Sequence, residues 1–402
     1  MKLCIVGGGG YLGSCLTAEL LNFGHQVVLF DRRFSPPHGL GDTGAGDTGD
    51  VIKIKGDVRQ EKDLNVALHG CDGVFLLASY GMSGRECLNK KLIDEVNIGG
   101  AENVLTACIR NSVPYLVFAS SINVVFGGQD IRNGKEDELT YFPLEKYVDR
   151  YSRSKAIAEK YILMANMRNL LDSSSCGDGQ PAKLRTCALR FVGIYGEKER
   201  RHLPRIAYLM KRGLFFATFG RGGSSLVQYV SGENCAQAMR LACEALTSNV
   251  AAGRAYFIAD AEEPVDSFEF WRPLTQALNV RFPTVRLPLF LMFYLAWALE
   301  TLTPLLTSLG LRSDPLFTRQ EVYTMGVTHY FSLDRAKKEL AFEPRRPHDL
   351  TVAAQCYQRL YNEANGDDPP VVKQEHFAFI TPLMVLLSLI FLPILVVIWC
   401  VI

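Results

Sequence analysis

The chain has 402 residues, 48% hydrophobic and 21% charged, a composition that excludes a disordered protein and suits two or three folded units. Its 43 Lys+Arg against 42 Asp+Glu leave a formal charge of +1, which gives no electrostatic case for nucleic acid as a partner. Eleven cysteines without a C-x-x-C pair and seven histidines without an H-E-x-x-H run exclude a disulfide scaffold, signal no metal site, and read as reduced cytosolic thiols.

Met1 and Lys2 lead straight into an apolar run with no secretory leader. Apolar stretches at 2–6, 26–30, 51–55, 73–77 and 115–119 predict strands, and helical periodicity at 11–23, 61–69 and 92–110 fills the gaps. This alternation predicts an α/β protein with a doubly wound parallel sheet. Residues 38–50 and 173–181 are rich in Gly, Asp and Ser and read as loops. Further strands are expected at 184–190 and 255–258, and a helix at 151–167. The second half reads as a smaller, mostly helical part. Its segment 287–299 is strongly apolar and ends at Glu300, so it is too short to span a bilayer alone. It reads as a core helix, a lid or a membrane-contacting helix. A polar linker at 363–376 precedes 377–402, which carries no charge. A helix over 379–402 would be about 36 Å long at ~1.5 Å per residue, enough to cross a core of about 30 Å. A C-terminal transmembrane tail anchor is expected, with the body in the cytosol and the endoplasmic reticulum as candidate organelle. The expected units are 1–190 for nucleotide binding, with later elements to about 260 interleaving, and 191–362 for substrate.

Gly7, Gly10 and Gly13 lie between the first strand and the first helix. Small residues there let the backbone approach a pyrophosphate, and the helix start at Tyr11 and Leu12 offers free N–H groups. Asp31 ends the second strand, where an acid accepts from ribose hydroxyls and repels a 2′-phosphate. That favours NAD, while Arg32 and Arg33 leave NADP open. Asp57, after the third strand, is placed either to meet the adenine amino group or to cap the next helix.

Tyr151 and Lys155 are i and i+4 and share a helix face. An ammonium about 4 Å from the phenol contributes on the order of 4 kcal/mol at an effective dielectric of 20, which predicts a tyrosine drawn toward the range of a general acid–base. Ser120 and Ser121 end the fifth strand, at the sheet edge where ligands bind. Asn97 sits mid-helix, a poor place for Asn, and is a candidate to hold a backbone carbonyl or a relay water.

The ordered set of glycine turn, acid, Ser and Tyr-x-x-x-Lys resembles the extended short-chain dehydrogenases/reductases. Within them the chain resembles the 3β-hydroxysteroid dehydrogenase branch, and specifically the 42E group. Residues 78–86 (ASYGMSGRE), 122–128 (INVVFGG), Leu189-Arg190, 193–196 (GIYG), 201–205 (RHLPR) and 326–333 (GVTHYFSL) carry the likeness, which runs from Lys2 to Tyr361. The resemblance implies a Rossmann fold and roles residue by residue. Tyr151 would be the acid–base. Lys155 would lower its pKa and bind the nicotinamide ribose. Ser121 would orient the substrate, and Asn97 would serve the relay. Gly7, Gly10, Tyr11, Leu12, Gly13, Asp31 and Asp57 would contact the dinucleotide, and 191–193 would border the nicotinamide. Val6, Leu76, Phe191 and 229–234 depart from the family pattern without removing a catalytic group. The expected function is a membrane-anchored, NAD-dependent oxidoreductase acting by Ser-Tyr-Lys chemistry on a hydrophobic alcohol or ketone, a 3β-hydroxysteroid foremost. A nucleotide-sugar epimerase or dehydratase and a silent NAD-binding scaffold stay open. A homodimer through 92–110 and 151–167 is implied by the resemblance.

Overall fold

A computed structural model describes residues 1–34, 50–171, 182–308 and 315–364. The expected loop 38–50 (apart from Asp50), the loop 173–181 and the expected anchor 377–402 lie outside them. Seven strands form the central sheet: β1 (Lys2–Val6), β2 (Gln26–Asp31), β3 (Val51–Lys55), β4 (Gly73–Leu76), β5 (Tyr115–Ser121), β6 (Arg185–Phe191) and β7 (Ala255–Ile258). Their order is β3-β2-β1-β4-β5-β6-β7, and every pairing is parallel. The order reverses between β1 and β4, the switch point where such sheets bind ligands.

Both faces of the sheet are covered at its inner strands, which is why those read as continuous apolar runs, whereas the edge strand β3 leaves Ile52, Lys53 and Lys55 exposed. Successive side chains alternate between two cores. Leu3, Ile5, Val27, Leu29 and Val117 enter one core with Leu16 and Leu20 of α1 (Tyr11–Asn22). Cys4, Val6, Val28, Phe30 and Leu116 enter the other with Leu64 of α2 (Glu61–Leu68) and Val104 of α3 (Gly100–Arg110). Ile162 of α4 (Arg150–Met164) joins this second core. The long helix expected at 92–110 begins earlier, at Lys90–Asp94, and passes through a π-helical turn at Glu95–Gly99 before α3.

The later chain returns to the sheet through α5 (Gly232–Thr247), which packs on α1 and supplies Cys235 and Met239 to the first core. The smaller part has its own cluster around Tyr195, Leu203, Tyr229, Phe270, Trp271 and Tyr357, with Tyr229 and Phe270 stacked at 3.6 Å. It also contains short strands that the sequence reading did not place. Val265–Asp266, Leu226–Val227, His329–Phe331 and Ile131–Gly134 form one sheet, and Ala217–Gly220 pairs with Val285–Pro288. Of the apolar segment 287–299, the first two residues end the strand Val285–Pro288 and the rest opens α6 (Leu289–Ser308). Ala296 and Leu299 are buried in the protein, whereas Phe290, Tyr294 and Trp297 are 65%, 64% and 51% exposed.

Candidate active site

The glycine turn joins β1 to α1 at the switch point. Gly7 has φ +96°, and a Cβ there would lie 2.6 Å from the Ala78 nitrogen at the end of β4. Gly7 and Gly8 both donate to the Phe30 carbonyl, at 2.8 and 3.1 Å. Gly13 packs on the turn itself, since a Cβ there would meet the Gly8 oxygen at 2.6 Å. Gly10 caps α1 with no side-chain bond to the first turn, and a Cβ there would find only the Gly7 oxygen, at 3.6 Å. The N–H groups at Tyr11, Leu12 and Gly13 therefore open α1 without a side-chain cap and without an acid beside them. This cradle fits a pyrophosphate.

Asp31 ends β2, and its carboxylate accepts from the Gly9 N–H at 3.0 Å and the Arg33 N–H at 3.2 Å. It thus braces the turn from the side where a ribose would lie. Asp57 is not a helix cap, because Gln60 occupies that position. It is gripped by Arg59 at 2.7 Å and faces Arg32 at 3.8 Å. Its hydrogen bond with Arg59 holds the carboxyl below its ordinary range. Arg32 thereby links the ends of β2 and β3. The Tyr11 hydroxyl donates to the Tyr195 carbonyl at 3.3 Å, pinning the start of α1 to the later chain. Leu12 packs against the first core.

Asp149 starts α4 by accepting from the Ser152 N–H at 2.8 Å. The helix carries Tyr151 and Lys155, both buried, to the C-terminal end of β5. The Lys155 ammonium donates to the Ala119 carbonyl at 2.6 Å and lies 4.3 Å from the centre of the Phe118 ring. Burial pushes Lys155 down to about 7, against the pull of Glu159. Tyr151 is pushed up to about 12 by burial; Arg201 and a hydrogen bond with Ser79 oppose the rise, and Asp149 adds to it. The expectation that Lys155 draws the phenol toward neutrality is thus corrected. The shared helix face is real, but the ammonium is spent on a backbone carbonyl of β5. Ser79 and Arg201, which the sequence reading did not single out for the site, are the groups that lower the phenol. Ser79 follows β4 at the same sheet edge as Ser121, and that position was its available signal.

Ser120 and Ser121 point to opposite sides, as neighbours on a strand must. Ser121 caps a short helical turn, accepting from the Asn123 N–H at 3.2 Å. Ser120 turns inward to Glu159. Asn97 lies in the π-helical turn and is buried. It accepts from the Tyr80 N–H at 2.8 Å and donates to the Tyr80 carbonyl at 3.0 Å and to the Ser154 hydroxyl at 2.8 Å. Ser154 in turn donates to the Tyr151 carbonyl at 2.7 Å. Asn97 therefore holds a backbone carbonyl, one of the two uses expected of it, and links the chain after β4 to the tyrosine helix.

Comparison with known proteins gives this geometry a family. Residues 4–289 match the model of the 3-beta hydroxysteroid dehydrogenase/isomerase family. The mouse short-chain dehydrogenase/reductase family 42E member 1 is 47% identical over 360 residues, covering 88% of this chain and 86% of the relative. The mouse sterol-4-alpha-carboxylate 3-dehydrogenase, decarboxylating, is 30% identical, covering 87% and 89%. Among solved structures, a UDP-glucose-4-epimerase from Stenotrophomonas maltophila with bound NAD and formylated UDP-arabinopyranose superposes with a TM-score of 0.67 at 21% identity, covering 91% of this chain and all of that one. This last likeness shows the fold alone, that of the short-chain dehydrogenases/reductases. With its glycine cradle, its Tyr151–Lys155 helix and these relatives, the chain belongs to the 3-beta hydroxysteroid dehydrogenase/isomerase family and to its 42E short-chain dehydrogenases/reductases.

Proposed function

We propose that this NAD-dependent oxidoreductase interconverts a secondary alcohol and a ketone on a hydrophobic substrate, a 3β-hydroxysteroid foremost. The observation that carries the reading is the buried Tyr151 at the C-terminal sheet edge, on one helix face with Lys155 and across the switch point from the glycine cradle. When bound, NAD supplies the nicotinamide carbon that accepts or returns the hydride. In reduction Tyr151 gives its phenolic proton to the substrate oxygen as that oxygen gains charge. In oxidation it takes the hydroxyl proton. Ser121 orients the same oxygen by hydrogen bonding. Asn97 keeps the Tyr80 backbone and the tyrosine helix in register, with a relay water as its second task. Asp31 excludes a 2′-phosphate by charge, and Asp57 meets the adenine end.

The substrate class is supported by the sterol named for the related dehydrogenase and by the surface of α6. A surface cleft of about 720 Å³ lies between this helix and the Arg221 loop, lined by Leu287, Phe290, Phe293, Tyr294 and Tyr323. Among the described helices α6 is the one long and apolar enough to cross a membrane, with a mean hydropathy of 1.6. Its buried face and the ion pair of Glu300 with Arg319 at 2.7 Å suit a helix lying on a bilayer, with residues 377–402 as the anchor. The exposed Tyr161 and Met164 of α4 support a homodimer through that helix.

The test uses the full chain in detergent micelles with NAD or NADP and a panel of hydroxysteroids, read at 340 nm. Wild type should form NADH with a 3β-hydroxysteroid. Tyr151→Phe should lose turnover by at least a thousandfold while binding NADH with an unchanged Kd. Turnover of nucleotide sugars instead, or an active Tyr151→Phe, would overturn the reading.

A further inference from the structure

Directly behind the candidate catalytic groups lies a buried charged network that none of the roles above uses. Glu159 is wholly buried on α4. Its Oε1 accepts from the Arg190 Nη2 at 2.7 Å, from the Arg190 Nε at 3.0 Å and from the Tyr141 hydroxyl at 2.8 Å. Its Oε2 takes the Ser120 hydroxyl. Arg190, on β6, is held between the rings of Tyr141 and Phe257, at 5.4 and 5.3 Å. Tyr151, Lys155 and Glu159 are i, i+4 and i+8, one stripe of one helix. Along this stripe Lys155 bonds the Ala119 carbonyl and Glu159 bonds the next residue, Ser120. The residue after that is Ser121. Two consecutive positions of β5 are thus fastened to two consecutive turns of α4, one step from the serine assigned to the substrate.

We propose that Glu159 is a positioning residue of the active site: held by Arg190, it locks α4 against β5 so that Tyr151 and Lys155 face Ser121, and it keeps Lys155 cationic. The claim rests on the dehydrogenase reading for its turnover assay, though not for its binding assay. The charge argument is local. The groups at Lys155 are the Ala119 carbonyl and the Phe118 ring of β5 and, along its own helix, Tyr151 and Glu159. Glu159 alone among them is an anion. Burial works against the ammonium, and Glu159 is what opposes it. Without that carboxylate the guanidinium of Arg190 would stand uncompensated beside the same site.

The experiment compares Glu159→Gln and Glu159→Asp with wild type as full chains. Two quantities are followed against pH: kcat/KM with the hydroxysteroid that wild type uses, and the Kd for NADH, read by fluorescence with no substrate present. Loss of the Lys155 proton should appear with rising pH as a fall in kcat/KM and in NADH affinity, the Kd rising. In Glu159→Gln that fall should move at least one unit toward lower pH, with kcat at pH 8 down tenfold or more and KM within threefold of wild type. Glu159→Asp, which keeps the charge, should restore the wild-type position of the fall. A purely structural residue would lower Tm and amplitude without moving the profile, so a Glu159→Gln profile in the wild-type position overturns the proposal. Should Glu159→Gln fail to fold, Ser120→Ala carries the test: it removes the Glu159 link between α4 and β5 but leaves the Lys155 link and the ion pair. It should cut kcat three- to tenfold at unchanged KM, and a wild-type kcat overturns the proposal. If wild type turns over no hydroxysteroid, the proposed function fails, and the NADH binding profiles still decide the role of Glu159.

Discussion

Two glycines of one turn do opposite work, and a single methyl group separates them. At Gly13 an added Cβ meets backbone at 2.6 Å, so Gly13→Ala should cost about 1–3 kcal/mol by overpacking and lower Tm in a calorimetric scan. At Gly10 the added atom finds almost nothing of the protein, only the face open to a ligand. Gly10→Ala should therefore keep Tm and weaken NADH binding about tenfold, on the order of 1.4 kcal/mol, in a fluorescence titration. Equal effects at both positions would deny the cradle its role. The glycine spacing was legible because turn chemistry is local. The state of Tyr151 was not. An i, i+4 spacing puts two side chains on one face, but it does not say what the far end of a lysine touches. The Ala119 carbonyl that takes the ammonium lies 36 residues away in sequence.

Among the elements, α6 shows what periodicity leaves open. The stretch Leu289–Ser308 has one charged residue, Glu300, so no polar face marks its outer side. Packing decides it: Ala296, Leu299 and Thr303 turn inward, while Phe290, Tyr294 and Trp297 form an exposed aromatic seam. The chain has three tryptophans, and Trp271 is buried. In full chains carrying Trp399→Phe and reconstituted into vesicles with brominated acyl chains, Trp297 should account for the quenching. A further Trp297→Phe should abolish it. No quenching in Trp399→Phe would remove α6 from the bilayer surface. The π-helical turn at Glu95–Gly99 is the second such element. A mid-helix Asn signalled something unusual, and the structure shows the widened turn aiming it at both polar groups of Tyr80. Asn97→Ala strands the half-buried Tyr80 backbone groups and the buried Ser154 hydroxyl and should cost about 1–3 kcal/mol, seen as a lower urea midpoint with a larger fall in kcat.

For the whole molecule, acid should act through histidines that folding keeps neutral. Burial pushes His329 and His348 down to about 4. His329 donates from Nδ1 to the Val327 carbonyl at 2.9 Å and stacks on Phe126 at 4.2 Å. Between pH 6.5 and 4 the unfolded chain binds protons that the folded one refuses, so stability present above 6.5 is lost as the pH falls. Asp260 works the other way. Burial raises it to about 6, and its contribution, full below its unfolded value, is lost as pH rises through 6. The net slope is therefore shared, and one substitution isolates the histidine part. His329→Gln should flatten the decline in Tm between pH 6.5 and 4.5. The difference should be on the order of 3 kcal/mol for a shift of this size. Parallel declines in variant and wild type would refute it.

The sequence by itself determined the nucleotide-binding half. Strands buried on both faces, amphipathic helices and a glycine turn are written in neighbouring residues, and β1, β3 and β7 fall where the apolar runs place them. The same local rules set Tyr151 and Lys155 on one face and Asp31 at the end of its strand. Tertiary structure alone decided how those groups are used: Lys155 bound to β5, Asp31 bracing the turn, Asp57 gripped by Arg59, and Glu159 with Arg190 sealed behind them. It also decided the two- to four-residue strands of the smaller part, too short to show a period. The reason is the same throughout. Periodicity and turn chemistry act within a few residues, whereas the partner of a buried charge is whichever group the fold brings to it from another strand.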